Sequence, residues 1–276
     1  MTGKLAGKVA LISGSGRGIG RSIALKLASE GARIVVNDLD DAPAQSVAQE
    51  IMQAGGEAVV CAGNVTAPDF GERFVQAAVE QFGGLDIIVN NAGYTWDSVI
   101  QKMSDEQWYA IMDVHLTAPF RILRAAQPVI RALHKADLER GAPVSRKIVN
   151  VSSIAGTGGN AGQINYASAK AGIMGMTMTL AKEWGRMNVN VNCVAFGFIK
   201  TRLTEATAGG GASIKIEGRD IKVGVNPDLV AMIEHQIPLG RTGTPEEAAG
   251  AVYLFCTPES DYISGQTLIC GGGLVA

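Results

Sequence analysis

The stretch that most limits the fold runs from Lys8-Val9-Ala10-Leu11-Ile12 through Ser13-Gly14-Ser15-Gly16-Arg17-Gly18-Ile19-Gly20 into Ser22-Ile23-Ala24-Leu25-Lys26-Leu27-Ala28. An apolar run, a glycine-dense loop and a helical pattern make a strand–loop–helix unit. Glycines let the backbone approach a pyrophosphate, and the helix N-terminus offers unpaired N–H groups and the positive end of its dipole. Spacing then separates the ligands. The fingerprint GxGxxG fails, because Ile19 and Arg21 stand where its third glycine would fall, whereas GxxxGxG fits as Gly14-Gly18-Gly20. A phosphate loop of the triphosphatase type needs a lysine at Arg21 and a glycine at Ser15, so that chemistry is excluded. A tight strand-to-helix turn without a ligand would use the same residues.

The alternation continues. Arg33-Ile34-Val35-Val36-Asn37-Asp38 is a strand ending in an acid placed to accept from an adenosine ribose. A helix over 42–54 and a strand over 58–61 follow, the latter closing on Asn64-Val65 beside the adenine pocket. A helix over 69–81 leads to Asp86-Ile87-Ile88-Val89-Asn90-Asn91-Ala92-Gly93, an apolar strand with a polar tip. This order predicts an α/β fold, a doubly wound parallel sheet covered on both faces, with ligands at the strand C-termini.

Ser104-Asp105-Glu106-Gln107 is a capping box that opens a long helix reaching towards His134. Pro119 within it has no N–H for the His115 carbonyl, which should be free to bind something else. Residues 135–146 read as a polar connector, 147–151 and 189–194 as the fifth and sixth strands, and 165–186 as a helix apolar on most faces. Its Met174-Gly175-Met176-Thr177-Met178 stretch fits core and subunit interface. That helix carries Tyr166 and Lys170 at i and i+4, on one face. A neighbouring ammonium favours the phenolate, so Lys170 is expected to draw Tyr166 below ~10, towards proton exchange with an alcohol or ketone. Ser153 could hold the substrate oxygen. A solvated helix pair has the same spacing.

From Thr201 to Gln236 the alternation breaks. Residues 213–223 alternate about a Gly-X turn, a hairpin with Ile214, Ile216, Ile221 and Val223 on one face and Lys215 opposite Lys222. A helix opened by Thr244-Pro245 and a strand over 267–269 complete the sheet. No repeat or linker divides the 276 residues, so one domain is expected, with the 201–236 segment a lid whose apolar hairpin face covers the substrate or packs on a partner subunit, or else an inert excursion.

A net charge of −2 and a pI near 6.0 give no footprint for nucleic acid or a membrane surface, and no apolar run approaches a membrane span. The opening residues show no signal-peptide pattern, so a cytoplasmic protein with a small-molecule partner is expected. Cys61, Cys193, Cys256 and Cys270 are too scattered for a metal site and read as reduced thiols.

Gly14-Gly18-Gly20, Asn90-Asn91-Ala92-Gly93, Ser153, Tyr166 and Lys170, in this order and at these separations, resemble the short-chain dehydrogenase/reductase superfamily over nearly the whole chain. Gly162-Gln163-Ile164-Asn165-Tyr166 and Ser264-Gly265-Gln266-Thr267 are similar to its 3-oxoacyl-[acyl-carrier-protein] reductase branch. The resemblance implies a Rossmann-type fold, hydride exchange between a nicotinamide cofactor and a carbonyl or secondary alcohol, a 3-oxoacyl or 3-hydroxyacyl thioester among the candidates, and a homotetramer or dimer. It implies that Ser153 positions the carbonyl, Tyr166 is the acid/base and Lys170 also holds the nicotinamide ribose. Gly14, Gly18, Ile19, Gly20, Asn91, Ala92 and Gly93 match cofactor contacts, and Ile199 and Thr201 match residues at the nicotinamide end. His115 stands where the family has a catalytic asparagine whose backbone carbonyl holds a relay water. Phe196-Gly197 replaces a Pro-Gly, and 213–225 looks inserted. Asp38 predicts NAD over NADP, because a 2′-phosphate would meet its carboxylate, while Arg17 resembles a phosphate reader and argues for NADP. A cofactor-binding protein with a sensing or scaffolding role is the other reading; intact Ser153, Tyr166 and Lys170 favour the enzyme.

Overall fold

Short β-rich apolar runs bounded by glycine, and longer segments of helical period between them, fold as alternating strands and helices. The computed structural model describes residues 3–201, 212–216, 218–223 and 227–274. In chain order the elements are β1 (Val9–Ile12), α1 (Gly18–Ser29), β2 (Arg33–Val36), α2 (Asp41–Gln53), β3 (Ala58–Val60), α3 (Phe70–Phe82), β4 (Ile87–Asn90), α4 (Asp105–Met112) and α5 (Ala118–Glu139). There follow β5 (Arg146–Ser153), the short α6 (Ala155–Gly158), α7 (Ile164–Trp184), β6 (Val189–Phe196), β7 (Ala212–Ile216), β8 (Arg219–Val223), α8 (Pro227–Gln236), α9 (Pro245–Cys256) and β9 (Thr267–Cys270).

Seven strands form one parallel sheet in the order β3-β2-β1-β4-β5-β6-β9, the doubly wound, Rossmann-type arrangement. Val9 and Leu11 face one apolar layer with α3 and α5, while Ala10 and Ile12 face the other with α1, α2 and α9. All four are fully buried, as a strand covered on both faces must be, and each large side chain contributes ~1.5–3 kcal/mol. The strand order reverses between β1 and β4, so their C-terminal ends open a crevice there.

Three sequence expectations change. The capping box at Ser104 forms, but α4 passes into a π-helical turn at Asp113–Thr117 before α5 continues to Glu139, so the connector is shorter than 135–146. The wider π turn suits Pro119, which cannot make the ordinary bond back to His115; Ala118 N–H reaches Asp113 O instead. Strand β6 runs to Phe196, beyond 194, because Phe196 and Cys270 continue the pairing with β9. The hairpin forms as β7–β8, but β8 starts at Arg219, so the turn falls one residue earlier than a turn beginning at Gly218. Pairing slips by two, which sets Ile214 opposite Ile221 rather than Val223 and Lys215 opposite Asp220 rather than Lys222. Residues 202–211, 217 and 224–226 of the expected lid lie outside the described residues.

Candidate active site

The glycine loop is shaped by what touches it. Gly14 has φ +64°, and a Cβ there would sit 2.7 Å from the Ala92 α-carbon; one on Gly20 would sit 2.0 Å from the Gly14 carbonyl oxygen. Only glycine allows strand end, loop and helix to approach this closely. Asn91 Nδ2 donates to the carbonyls of Ser13 and Gly14, both at 3.0 Å, and the Asn91 and Ala92 N–H groups donate to Ser13 Oγ. Asn91 and Ala92 thus clamp the loop. Arg17, the N-cap of α1, makes no side-chain cap for the first turn at Gly18, Ile19 and Gly20. This cradle fits an anionic pyrophosphate, and with it a dinucleotide.

Beside the loop, Asp38 is buried at the tip of β2, with an oxygen 2.5 Å from where a Gly16 Cβ would be. Arg17 bridges Asp38 at 2.9 Å and Asp40 at 2.8 Å, so the two residues that argued for opposite cofactors are each other's partners. Gly63 N–H donates to the Asp38 carbonyl, which brings the turn of Asn64 and buried Val65 beside it. Asn37, which sequence reasoning passed over, accepts from Gly14 N–H and donates to the carbonyls of Cys61 and Gly63. An asparagine ending an apolar strand was the available signal. Across the crevice Ile199 is buried, and the Thr201 methyl lies 3.9 Å from a Cβ position on Gly18, facing the loop.

Ser153 ends β5 and Tyr166 and Lys170 open α7, so one crevice gathers all three. Asn165 anchors that helix turn: Oδ1 accepts from Tyr166 N–H at 2.8 Å, and Nδ2 donates to the carbonyls of Trp96 and Gln107. Lys170 lies 5.6 Å from the Tyr166 ring centre and donates from Nζ to the Val151 carbonyl at 2.7 Å; Ser152 Oγ donates to the Lys170 carbonyl. Burial depresses Lys170 to about 8. Tyr166 is pushed up to about 12 by burial, opposed by its hydrogen bond with Ser153 and reinforced by the charge of Asp97. The expected lowering by Lys170 is therefore corrected: burial is the largest influence on Tyr166 and raises it, and burial disfavours the Lys170 ammonium as well. Tyr166 is a protonated donor at neutral pH.

His115 is brought to the same place, with Nε2 2.7 Å from the Tyr94 carbonyl and its ring edge-on to Tyr166 at 5.0 Å between centres. Burial, then the nearby Lys170 charge, holds its pKa well below the usual value against the Tyr94 hydrogen bond, so the ring is neutral. Nε2 then carries the proton, and Nδ1, buried, has no hydrogen-bond partner among the described residues. Asp97 was also missed. It stands at the cleft edge, accepts from Gln163 Nε2 at 2.7 Å, and has its carboxyl raised by the surrounding protein. No cluster of metal-ligating residues exists among the described residues.

A glycine loop shaped for a pyrophosphate, a serine hydroxyl, a phenol and a lysine beneath it form an arrangement able to move a proton onto or off a carbonyl oxygen. Residues 14–275 match the family described as enoyl-(acyl carrier protein) reductase. The chain is 39% identical over 270 residues to the 3-oxoacyl-[acyl-carrier-protein] reductase of Vibrio cholerae, covering 98% of each. It is 37% identical to the enzymes of that name from Synechocystis sp., covering 98% of each chain, and Escherichia coli, covering 97% of each. The chain belongs to the short-chain dehydrogenase/reductase superfamily, as an oxidoreductase that acts on CH–OH groups with NAD(P).

Proposed function

We propose that the protein reduces the ketone of a 3-oxoacyl thioester, or a closely similar carbonyl, to the secondary alcohol, with NADH preferred over NADPH. The observation that carries this is Tyr166, protonated with a pKa near 12 and hydrogen-bonded with Ser153. Reduction needs an acid at neutral pH, and alcohol oxidation needs a base. A nicotinamide held in this crevice would supply the hydride for the carbonyl carbon. Ser153 Oγ holds the carbonyl oxygen, and the Tyr166 hydroxyl transfers its proton to that oxygen as negative charge develops. Lys170 holds the nicotinamide ribose, and its remaining N–H groups return a proton to the phenolate. Pro119 supports a route to solvent through a water on the His115 carbonyl, because it withholds the N–H four residues on.

Asp38 supports NADH: a ribose hydroxyl can donate to it, whereas a 2′-phosphate would face both Asp38 and Asp40. The relatives' printed names support the thioester. The chain acts as one domain in the cytoplasm, a reading supported by four free cysteines and by the lack of any described helix long and apolar enough to cross a membrane. Exposed Leu254, Tyr262, Leu268 and Ile269 beside the bare edge strand β9 support a homo-oligomer. Buried Ile221 supports the hairpin as a lid seated on the body of the protein.

The test is Tyr166→Phe, assayed by loss of the reduced-cofactor absorbance with acetoacetyl-CoA and a ketone panel, alongside NADH fluorescence titration. Turnover should vanish while NADH binding is kept. Turnover within about tenfold of the parent, ~1.4 kcal/mol of barrier, would reject Tyr166 as the acid.

A further inference from the structure

Two segments wall the crevice at Tyr166: residues 95–98, leading away from the tip of β4, and residues 160–163, leading into α7. They are zipped together. Ser98 N–H donates to the Gly162 carbonyl at 2.8 Å, Gln163 Nε2 donates to Asp97 Oδ2 at 2.7 Å, and Asn160 Nδ2 donates to Gln163 Oε1 at 2.9 Å. Gln163 is the N-cap of α7, three residues before Tyr166, so it holds the Asp97 carboxylate by the helical turn that presents the phenol. The charge is felt there, since Asp97 is among the causes that raise Tyr166. Among the described residues no ion pair neutralises Asp97. Lys170 gives its Nζ to the Val151 carbonyl and is held at about 8, and His115 is neutral. The wall continues without charge. An adjoining hollow of about 450 Å³, with Val99, Ile100, Ile164 and Ala167 in its lining, has no charged side chain among the described residues around it.

We infer that Asp97 is a specificity-determining residue: its carboxylate, latched beside Tyr166 by Gln163, turns away substrates that carry a negative charge next to the reacting ketone. The crevice then takes a 3-oxoacyl group only with its carboxyl masked as a thioester or ester. This rests on the carbonyl-reduction reading and adds to it the residue that refuses the free 3-oxo acid. Such an acid, bound with its ketone oxygen at Ser153 and Tyr166, would carry its own carboxylate on the next carbon but one. Like charges that close in a partly desolvated cleft repel by enough to cost about tenfold in affinity, and no described cation on the walls offsets it. A thioester or ester presents the same carbon skeleton without the charge. The latch lets charge be separated from shape. Asparagine at 97 keeps an oxygen to accept from Gln163 and loses only the charge, whereas Gln163→Ala opens the latch and keeps the charge.

The experiment sets acetoacetate against methyl acetoacetate, one ketone with and without the charge, on the parent, Asp97→Asn and Gln163→Ala. It reads kcat/KM with NADH, and the Kd of each probe for the enzyme–NADH complex from the change in nicotinamide fluorescence. The parent should favour the ester by about tenfold or more, Asp97→Asn should cut that preference by about tenfold, and Gln163→Ala should keep it within about threefold of the parent's. Raising NaCl from about 0.05 M to about 1 M should shrink the preference in the parent and leave it flat in Asp97→Asn, because only a charge–charge effect is screened. A preference that survives Asp97→Asn, or that Gln163→Ala removes equally, overturns the inference, because shape and not charge would then set it. If Asp97→Asn does not fold, the salt series on the parent decides, and a preference indifferent to salt overturns it. If neither probe is turned over, it is the proposed reaction that fails. The ratio of Kd values still decides the inference, and equal affinity for acid and ester, or binding of neither, overturns it.

Discussion

Replacing Lys170 with methionine should stabilise the cofactor-free protein while destroying its activity. Burial takes Lys170 from its ordinary 10.5 down to about 8, which at ~1.4 kcal/mol per tenfold in proton affinity costs ~3 kcal/mol at neutral pH. Methionine has a similar reach and no charge, but it removes the Nζ donor to the Val151 carbonyl, a loss of ~1–2 kcal/mol. The variant should therefore be ~1–2 kcal/mol more stable at pH 7. The pH dependence is the sharper test. Because the folded pKa lies below the unfolded one, the unfolded chain binds more protons between pH 8 and 10.5, so parent stability rises with pH through that window. The methionine variant lacks this term, so its advantage should shrink by up to ~3 kcal/mol between pH 7 and pH 10.5. Urea denaturation of both proteins at half-unit steps measures it, with turnover recorded in parallel. A stability difference that stays flat from pH 7 to 10.5 would show that Lys170 is not held at a depressed pKa, and the reasoning would fall with it.

Asp38→Ala should narrow the preference for NADH, seen as a fall in the ratio of kcat/KM for the two cofactors; a higher kcat/KM with NADPH in the parent would reject the preference outright. Pro119→Ala restores the N–H that can occupy the His115 carbonyl, so kcat should fall clearly while the melting temperature holds. Unchanged kcat would remove that carbonyl from the relay.

The sheet was legible because each of its strands is a short apolar run with nothing else to become, and because βα alternation admits few topologies. The site was legible where chemistry demands a residue type at a fixed spacing, as with Gly14, Gly18, Gly20, Tyr166 and Lys170. What sequence could not show is which polar group each side chain selects. Arg17 and Asp38 stood as opposing signals for the cofactor, yet 21 residues apart they form one ion pair. Asn37 carries no motif and Asn165 belongs to one whose residues do not show its role; the importance of both lies in backbone groups gathered from separate segments. The hairpin's turn slipped by one residue because the apolar alternation is indifferent to a two-residue change of register, so nothing in the pattern fixed Lys215 against Asp220.

The largest departure concerned charge, and it bears on direction. An i, i+4 tyrosine and lysine on an exposed helix would share a cation's influence through water, and the phenol would be the more acidic for it. Here the same pair is packed beneath a sheet end, where each charged form is penalised separately: the lysine falls to about 8 and the tyrosine rises to about 12. His115, neutral and wedged between Gly93 and Tyr166, adds no charge to reverse this. A proton resting on Tyr166 is available to a substrate oxygen without prior ionisation, so the barrier to carbonyl reduction carries no cost for preparing the acid. Alcohol oxidation must first remove that proton against a gap of some five pH units from neutrality, ~7 kcal/mol unless the bound cofactor's own positive charge offsets it. The burial of these two residues, whose spacing alone would have argued for neither direction, is what supports the reductive reaction proposed above.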